Sequence, residues 1–560
     1  MADYLLGLDV GSSSIKASLL DAATGKAVAS ATSPDTELDM EAKQAGWAEQ
    51  HPDTWWEHIG RAVSILRESH ASAVDQIAAV GISYQMHGLV VIDSTGTVLR
   101  PAIIWCDSRA VPYGQKAFVD MGEKETLARL LNSPGNFTAS KLAWVKQMEP
   151  ELFNTIDKMM LPGDYLAYRM TGELVTTISG LSEGILWDAS EEAPAQVLLD
   201  YFGFASDLLP PHVQSFGNHG TVTDAVAKEL GIPAGTPVTY RAGDQPNNAL
   251  SLNVLRPGEL AATAGTSGVV YGVVDRPAYD PASRVNTFVH VNHAPEAKRY
   301  GVLLCINGTG ICNRWLKQQT LDNGGTTVGY PEMNAIAAEA PIGSNRLVML
   351  PFGNGAERVL ENNDIGASVH GLNFNVHTRA HLLRAGQEGI AFALGYGLQV
   401  MREMGLQIDV IRAGNANMFQ SEIFRSAFAA VSDAHIELYS TDGSEGAARG
   451  AGIGVGIFQP DDAFAGLERE RAFSADDLPA DDRAGYRNAF EHWRTVLAAQ
   501  TGSRRGRGSR GATRQSSRCP GLPSRRSLRG PLTQLETQRR RSWTPGRAAS
   551  SGRRLDQSSP

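Results

Sequence analysis

The sequence predicts an α/β protein built as two similar lobes facing a cleft. Strand-like segments alternate with helix-length ones over the first 500 residues or so, the pattern of layered α/β folds. Each half opens with β-structure, an acidic residue and a Gly/Ser/Thr turn, which reads as an internal duplication. The chain has 560 residues, 42% hydrophobic and 20% charged, which is an ordinary globular composition with length for several domains and a sizeable core.

Tyr4 to Val10 is apolar, reads as a strand and carries Asp9 near its end. Gly11-Ser12-Ser13-Ser14 turns the chain into a second strand, Ile15 to Asp21, and Ala22-Ala23-Thr24-Gly25 closes a hairpin into Lys26 to Ala31. Ala78 to Ser83 and Pro101 to Trp105 are expected as strands, Lys141 to Met148 and Asp164 to Met170 as helices. A second half is expected to open near Thr239, with Tyr240 to Gly243 running into Asp244 and with a turn at Ala264-Gly265-Thr266-Ser267-Gly268 inside Leu260 to Tyr271. Glu388 to Met401 reads as a helix, Val410 to Gly414 as a strand, and Phe419, Ile423, Ala427 and Phe428 fall at helical spacing. The run Gly450-Ala451-Gly452-Ile453-Gly454-Val455-Gly456 suits a helix packed closely on its neighbours.

Composition excludes several classes. No run nears the roughly 18 apolar residues of a membrane span, and Met1-Ala2-Asp3-Tyr4-Leu5-Leu6 has no basic region of a signal peptide. Cys106, Cys305, Cys312 and Cys519 give neither a disulfide framework nor a C-x-x-C pair, so a reducing cytoplasm is expected. The net charge of −9 is split: residues 501–560 hold 15 Arg, no Lys and two acids, Glu536 and Asp556, a local +13 that leaves −22 for the rest. With so few apolar residues this tail is expected to be disordered. Nucleic acid is expected as a partner only through it, if at all. Gly506-Arg507-Gly508-Ser509-Arg510-Gly511 matches G-x-G-x-x-G formally but lacks a preceding strand and a following helix.

The chemistry concentrates at a few clusters. A carboxylate at a strand end, as at Asp9, can hold Mg²⁺ through water. The following Gly11, Ser12, Ser13 and Lys16 offer donors for phosphate oxygens; a tight β-turn would use the same residues. Gly265, Thr266 and Ser267 repeat that chemistry, and together the two turns suit one nucleoside triphosphate between two lobes. Neither a G-x-x-x-x-G-K-[ST] loop nor an H-R-D loop is present, which argues against P-loop and protein-kinase phosphotransfer. Asp244 can take a proton from an alcohol as it attacks phosphorus, or can simply cap the next helix. Gln85, Met86, His87 and Gly88 form an element suited to reading hydroxyls, although a lone His is more often structural. Trp105 and Asp107 offer an aromatic face and a carboxylate for a polyol, or packing and a salt bridge. His290 and His293 lack a third ligand at metal spacing and read as ordinary residues.

On these motifs the chain resembles the FGGY carbohydrate kinases, and among them the bacterial xylulokinases. The resemblance runs from about Tyr4 to about Trp493 and rests on Asp9-x-Gly-Ser-Ser-Ser, Gln85-Met86-His87-Gly88, Trp105-Cys106-Asp107-Ser108-Arg109, Asp244, Gly265-Thr266-Ser267-Gly268 and Gln387-Glu388-Gly389-Ile390-Ala391-Phe392. It implies an α/β fold of two ribonuclease-H-like, actin-like ATPase lobes around a central cleft. The lobes are expected at 1–250 for sugar and phosphate and 251–500 for nucleotide, with the tail at 501–560. It further implies ATP and Mg²⁺ as cofactors, Asp244 as catalytic base, and Asp9 and Asp244 at the metal. Gln85, Met86, His87, Trp105, Asp107 and Asp244 are implied at a ketose, D-xylulose first, with ribulose or another polyol as alternatives. A non-catalytic sugar-binding regulator is the reading from another class, and a homodimer is left open. The adenine side is expected at Gly414 and Asn417, where Arg412-Ala413-Gly414-Asn415-Ala416-Asn417 carries one glycine instead of the family's pair. Tyr84, in place of a small residue, is expected to narrow the sugar pocket or to change which ketose fits.

Overall fold

The computed structural model describes residues 3–321, 327–356 and 358–511, with side chains as far as residue 502. The first sheet contains β1 (Tyr4–Val10), β2 (Ile15–Asp21), β3 (Lys26–Ser33), β4 (Ile77–Tyr84) and β5 (Val238–Gly243). Its order is β5-β4-β1-β2-β3, with β1, β4 and β5 parallel and β2 antiparallel to both neighbours. Central β1 buries Leu5, Leu6, Leu8 and Val10 on both faces, hence the near-continuous apolar run.

The second sheet contains β6 (Glu259–Ala264), β7 (Gly268–Val274), β8 (Asn286–Val289), β9 (Tyr300–Ile306), β10 (Val410–Gly414), β11 (His435–Tyr439) and β12 (Arg469–Phe473), in the order β8-β9-β7-β6-β10-β11-β12. Its inner five strands repeat the first sheet: β6 pairs antiparallel with β7 and parallel with β10, as β1 does with β2 and β4. The duplication expected from the turns is therefore a duplication of topology. The strand ahead of Asp244 is the edge strand of the first sheet and not the opening of a second half near Thr239, and the second sheet begins at Glu259. A parallel edge strand reached by a long crossover has no local signal that says which sheet it joins.

Helix α1 (Pro52–Val74), with Pro at its first turn, lays Trp55, Trp56, Ile59, Val63 and Leu66 on one face of the first sheet. Between β4 and β5 the chain forms, among other elements, α2 (Thr138–Met148), α3 (Pro162–Thr171) and α4 (Ile178–Glu183). Of the expected strand Pro101 to Trp105 only Ala102–Ile103 pairs, with Glu49–Gln50. Helix α5 (Asp244–Ser251) leaves β5 directly. The second sheet is covered by α6 (Gly310–Thr320), α7 (Tyr330–Ala338), the long buried α8 (Arg379–Glu403) and α9 (Glu422–Ser432); Phe419 lies in a short turn just before α9.

Helix α10 (Gly443–Gly454) follows β11 but packs on the first sheet, opposite α1. The approach is close enough that a Cβ on Gly7 of β1 would stand 1.8 Å from the Ser444 carbonyl oxygen, and one on Gly81 of β4 2.0 Å from that of Ala447. This is the close packing the glycine-rich run predicts, and it binds the two halves of the chain into one unit over 1–505. The last helix, α11, spans Ala480–Gly511. The remainder of the expected disordered tail, with Cys519, lies outside the described residues. No described helix is long and apolar enough to cross a membrane.

Candidate active site

Parallel strands end together, so the carboxyl edge of the first sheet gathers its candidates. Asp9 pairs in register with Ser83 on one side and Lys16 on the other, and Gly243, just before Asp244, pairs with Tyr84. Ser83 Oγ donates to Asp9 Oδ1 at 2.7 Å. Burial holds the Asp9 carboxyl above its usual range despite that bond, and the neighbouring Asp442 adds to the effect. A Cβ on Gly443 would lie 2.3 Å from Asp9 Oδ2, so glycine there leaves the carboxylate its place. Asp244 opens α5, half-buried, and its pKa is pushed up to about 7 by burial and by the charge of Asp9.

Asp442 is a site residue that the sequence reading missed. It caps α10, accepting from the Ser444 and Glu445 amides at 2.9 and 3.1 Å, and it pairs with Lys16. Despite burial its pKa is lowered, by the Lys16 hydrogen bond first. The signal was present as Asp442-Gly443-Ser444-Glu445, an acidic cap with a Glu three residues on. Asp9 and Asp244 interact through their charges, and the described residues hold no cage of three or more His, Cys, Asp or Glu. The two carboxylates are oxygen donors, which suit a hard cation that keeps most of its water, as Mg²⁺ does.

The Gly11–Ser14 turn is tightly tied. Gly11 N donates to Ser14 O at 3.1 Å, Leu38 N to Ser13 O at 2.8 Å, and Gln50 Nε2 to Ser12 O at 2.7 Å. The half-exposed Trp105 indole donates to Ser12 Oγ at 3.1 Å, which links an expected sugar contact to an expected phosphate contact. Gln85 Nε2 meets Gln50 Oε1 at 3.3 Å, and its own buried Oε1 has no partner. Met86 packs where a Cβ on Gly243 would come within 2.5 Å of its Cγ. His87 stands half-buried beside it, its ring edge-on to Phe137 at 4.6 Å.

Two expectations about this side are corrected. Asp107 is fully buried, and its carboxylate is committed to the fold: Arg109 Nη2 and the Ala48 amide both donate to Oδ2 at 2.6 Å, and Arg109 N to Oδ1 at 2.9 Å. It offers no oxygen to a substrate. Tyr84 points into the core beneath the first sheet, and a Cβ on Gly163 of α3 would come 2.1 Å from its ring, so it does not narrow the sugar side. Of that pair only Trp105 keeps an exposed face, at 48% exposure. Sequence reading also missed Lys141 of α2, wholly buried beside this element, whose Nζ donates to His87 O at 2.7 Å.

In the second lobe a cavity of about 450 Å³ is lined by Gly265 and Thr266 of the β6–β7 turn, by the start of α6 at Gly310, Asn313 and Arg314, by Tyr330 and Asn334 of α7, and by Asn417 and Ser421. That is a volume for a small organic ligand. The turn is fixed by Thr309 Oγ1 and Gly310 N, which donate to Gly265 O at 3.0 and 2.8 Å, and Ser267 Oγ reaches Asn307 Oδ1 at 3.4 Å. Gly414 ends β10, where a Cβ would meet open space. Buried Gln387 of α8 stands behind the cavity: its Nε2 donates to Asn334 at 2.8 Å, and its Oε1 accepts from Ser421 Oγ at 2.5 Å. His290 is bound at both ring nitrogens, by Tyr271 Oη at 3.0 Å and Val254 O at 3.1 Å.

Residues 4–251 match the N-terminal domain of the FGGY family of carbohydrate kinases, and residues 260–454 match its C-terminal domain. The chain belongs to that family. It is 31% identical to the xylulose kinase of Escherichia coli (strain K12) over 450 residues, 80% of this chain and 88% of that one. It is 30% identical to the xylulose kinase of Bacillus subtilis (strain 168) over 469 residues, 81% and 89% of the two chains. The crystal structure of a xyloylose kinase from Brucella ovis superposes with a TM-score of 0.79 at 26% identity, covering 89% of this chain and 99% of that one. The two-lobed ribonuclease-H-like, actin-like fold that the motifs implied is thus the fold of this FGGY kinase.

Proposed function

We propose that this kinase transfers the γ-phosphoryl group of ATP to the terminal hydroxyl of D-xylulose, giving D-xylulose 5-phosphate and ADP. The observation that carries the reading is Asp244, a carboxylate at the cleft with a pKa near 7. A general base works best when its pKa lies near the operating pH. Identity near 30% to two xylulose kinases over four-fifths of the chain supports the choice of sugar.

Gln85, Met86, His87 and Trp105 orient the ketose, and Asp244 accepts the hydroxyl proton as that oxygen attacks phosphorus. Gly11, Ser12, Ser13 and Lys16 hold phosphate oxygens from the lobe at 1–250. Gly265, Thr266 and Ser267 do so from the lobe at 251–500, with Asn417 and Gly414 on the adenine side. Asp9 and Asp244 would hold Mg²⁺, which when bound would offset the negative charge of the phosphates. Closure of the lobes excludes water, the competing phosphoryl acceptor. A cytoplasmic location goes with the proposal.

The test is Asp244→Ala under saturating ATP and sugar. Loss of the base is expected to lower kcat by about 10²–10⁴ with little change in sugar KM; near-normal turnover would remove Asp244 from the role.

A further inference from the structure

His87 has almost every polar group committed. Its backbone sits at φ +61°, a region non-glycine residues seldom occupy. Its amide donates toward Glu183 Oε1 at 3.4 Å, and its carbonyl accepts from Lys141 Nζ at 2.7 Å. Its ring Nδ1 lies 2.9 Å from the Glu183 carbonyl oxygen. A carbonyl only accepts, so Nδ1 carries the hydrogen of that bond. The ring is held between Phe137 at 4.6 Å and Phe288 of β8 at 5.5 Å, the second contact coming from the other lobe.

Lys141 and Glu183 are both buried, on α2 and at the end of α4. Burial first, and then the charge of Lys141, hold the His87 pKa down at about 3; burial also brings Lys141 itself down to about 7, so its charge is only partly present at pH 7, where the ring is neutral. A neutral imidazole with its hydrogen on Nδ1 has a bare lone pair on Nε2. We infer that Lys141 and Glu183 are positioning residues that fix His87 as the Nδ1–H tautomer, so that its Nε2 accepts a hydrogen bond from a hydroxyl of the substrate. The inference rests on the sugar-kinase reading for the identity of the ligand. It adds a rule of selection: a hydroxyl is favoured opposite Nε2, and a carboxylate or carbonyl oxygen there would set lone pair against lone pair.

The test uses full-length protein labelled with ¹⁵N-histidine, with the His87 signals assigned by their loss in His87→Gln. At pH 7 the expected spectrum has Nδ1 protonated and Nε2 bare, with the Nε2 signal moving when D-xylulose is added. An Nε2–H tautomer, an imidazolium, or an Nε2 signal unmoved by a sugar that the protein phosphorylates would overturn the inference. Kinetics give a second readout. Lys141→Met removes the bond to the His87 carbonyl that holds the residue in place, and the weakened sugar contact is expected to raise the sugar KM about tenfold, leaving the ATP KM in place, with partial recovery in Lys141→Arg. Equal changes in both KM values, or none, would overturn it. Should Lys141→Met not fold, the wild-type spectrum still decides. Should the wild type turn over no sugar, the kinase reading fails separately, because the tautomer is read in the free protein.

Discussion

Asp244→Asn separates what this residue does for folding from what it does for chemistry. Asp244 has its pKa raised from 3.8 to about 7. At about 1.36 kcal/mol per pKa unit this is at most about 4 kcal/mol of penalty for the charged form. The group is half-buried, so solvent reduces the figure, and about 2 kcal/mol is a fair working value. Between pH 4 and pH 7 the folded protein binds a proton that the unfolded chain has released, so the wild type loses stability as pH rises through that window. Above pH 7 the whole penalty is present. Asn carries no charge and escapes it. The variant is therefore expected to melt about 4–8 °C above wild type at pH 8, taking about 2–4 °C per kcal/mol for a lobe of this size. The gain shrinks toward zero as pH falls to about 4, while activity is lost at every pH. Paired thermal melts at pH 8 and pH 4.5, with kcat at pH 7.5, measure both effects. A variant less stable than wild type at pH 8, or a gain that does not depend on pH, would refute the reasoning.

Other residues give further tests. Gln387→Leu breaks the bonds to Asn334 and Ser421 behind the second-lobe cavity. The ATP KM is expected to rise about tenfold and the sugar KM to stay, as measured by initial rates with each substrate varied. Gly7→Ala drives a Cβ to 1.8 Å from the Ser444 carbonyl oxygen. Overpacking of this kind costs about 1–3 kcal/mol, to be read as a lower denaturant midpoint. Gly443→Ala places its Cβ 2.3 Å from Asp9 Oδ2; kcat is expected to fall while circular dichroism stays that of the wild type.

Much of this was legible in the sequence because it was local. The strand–turn–strand around Gly11–Ser14, the turn at Gly265–Ser267 and the buried length of α8 each come from short-range pattern. Asp9 and Asp244 stand out because a carboxylate at a strand end is itself a short-range signal. What was lost depends on contacts far apart in the chain. Asp107 reads as a polyol contact until the Ala48 amide, distant in sequence, is seen to occupy it. Tyr84 could face either way, since its direction is set by Gly163. Lys141 looks like an ordinary helical lysine until the fold brings it beneath His87. The edge strand before Asp244 joins the first sheet through pairing with Ile77–Tyr84, which periodicity cannot report.

The central claim, phosphoryl transfer to a ketopentose, is tested most directly by ADP release with Mg·ATP across D-xylulose, D-ribulose, L-ribulose, glycerol, gluconate and no sugar. A clear preference for D-xylulose is predicted. Preference for another sugar would contradict the assignment of substrate while leaving the kinase chemistry, and no ADP release with any of them, from folded protein, would contradict the account as a whole.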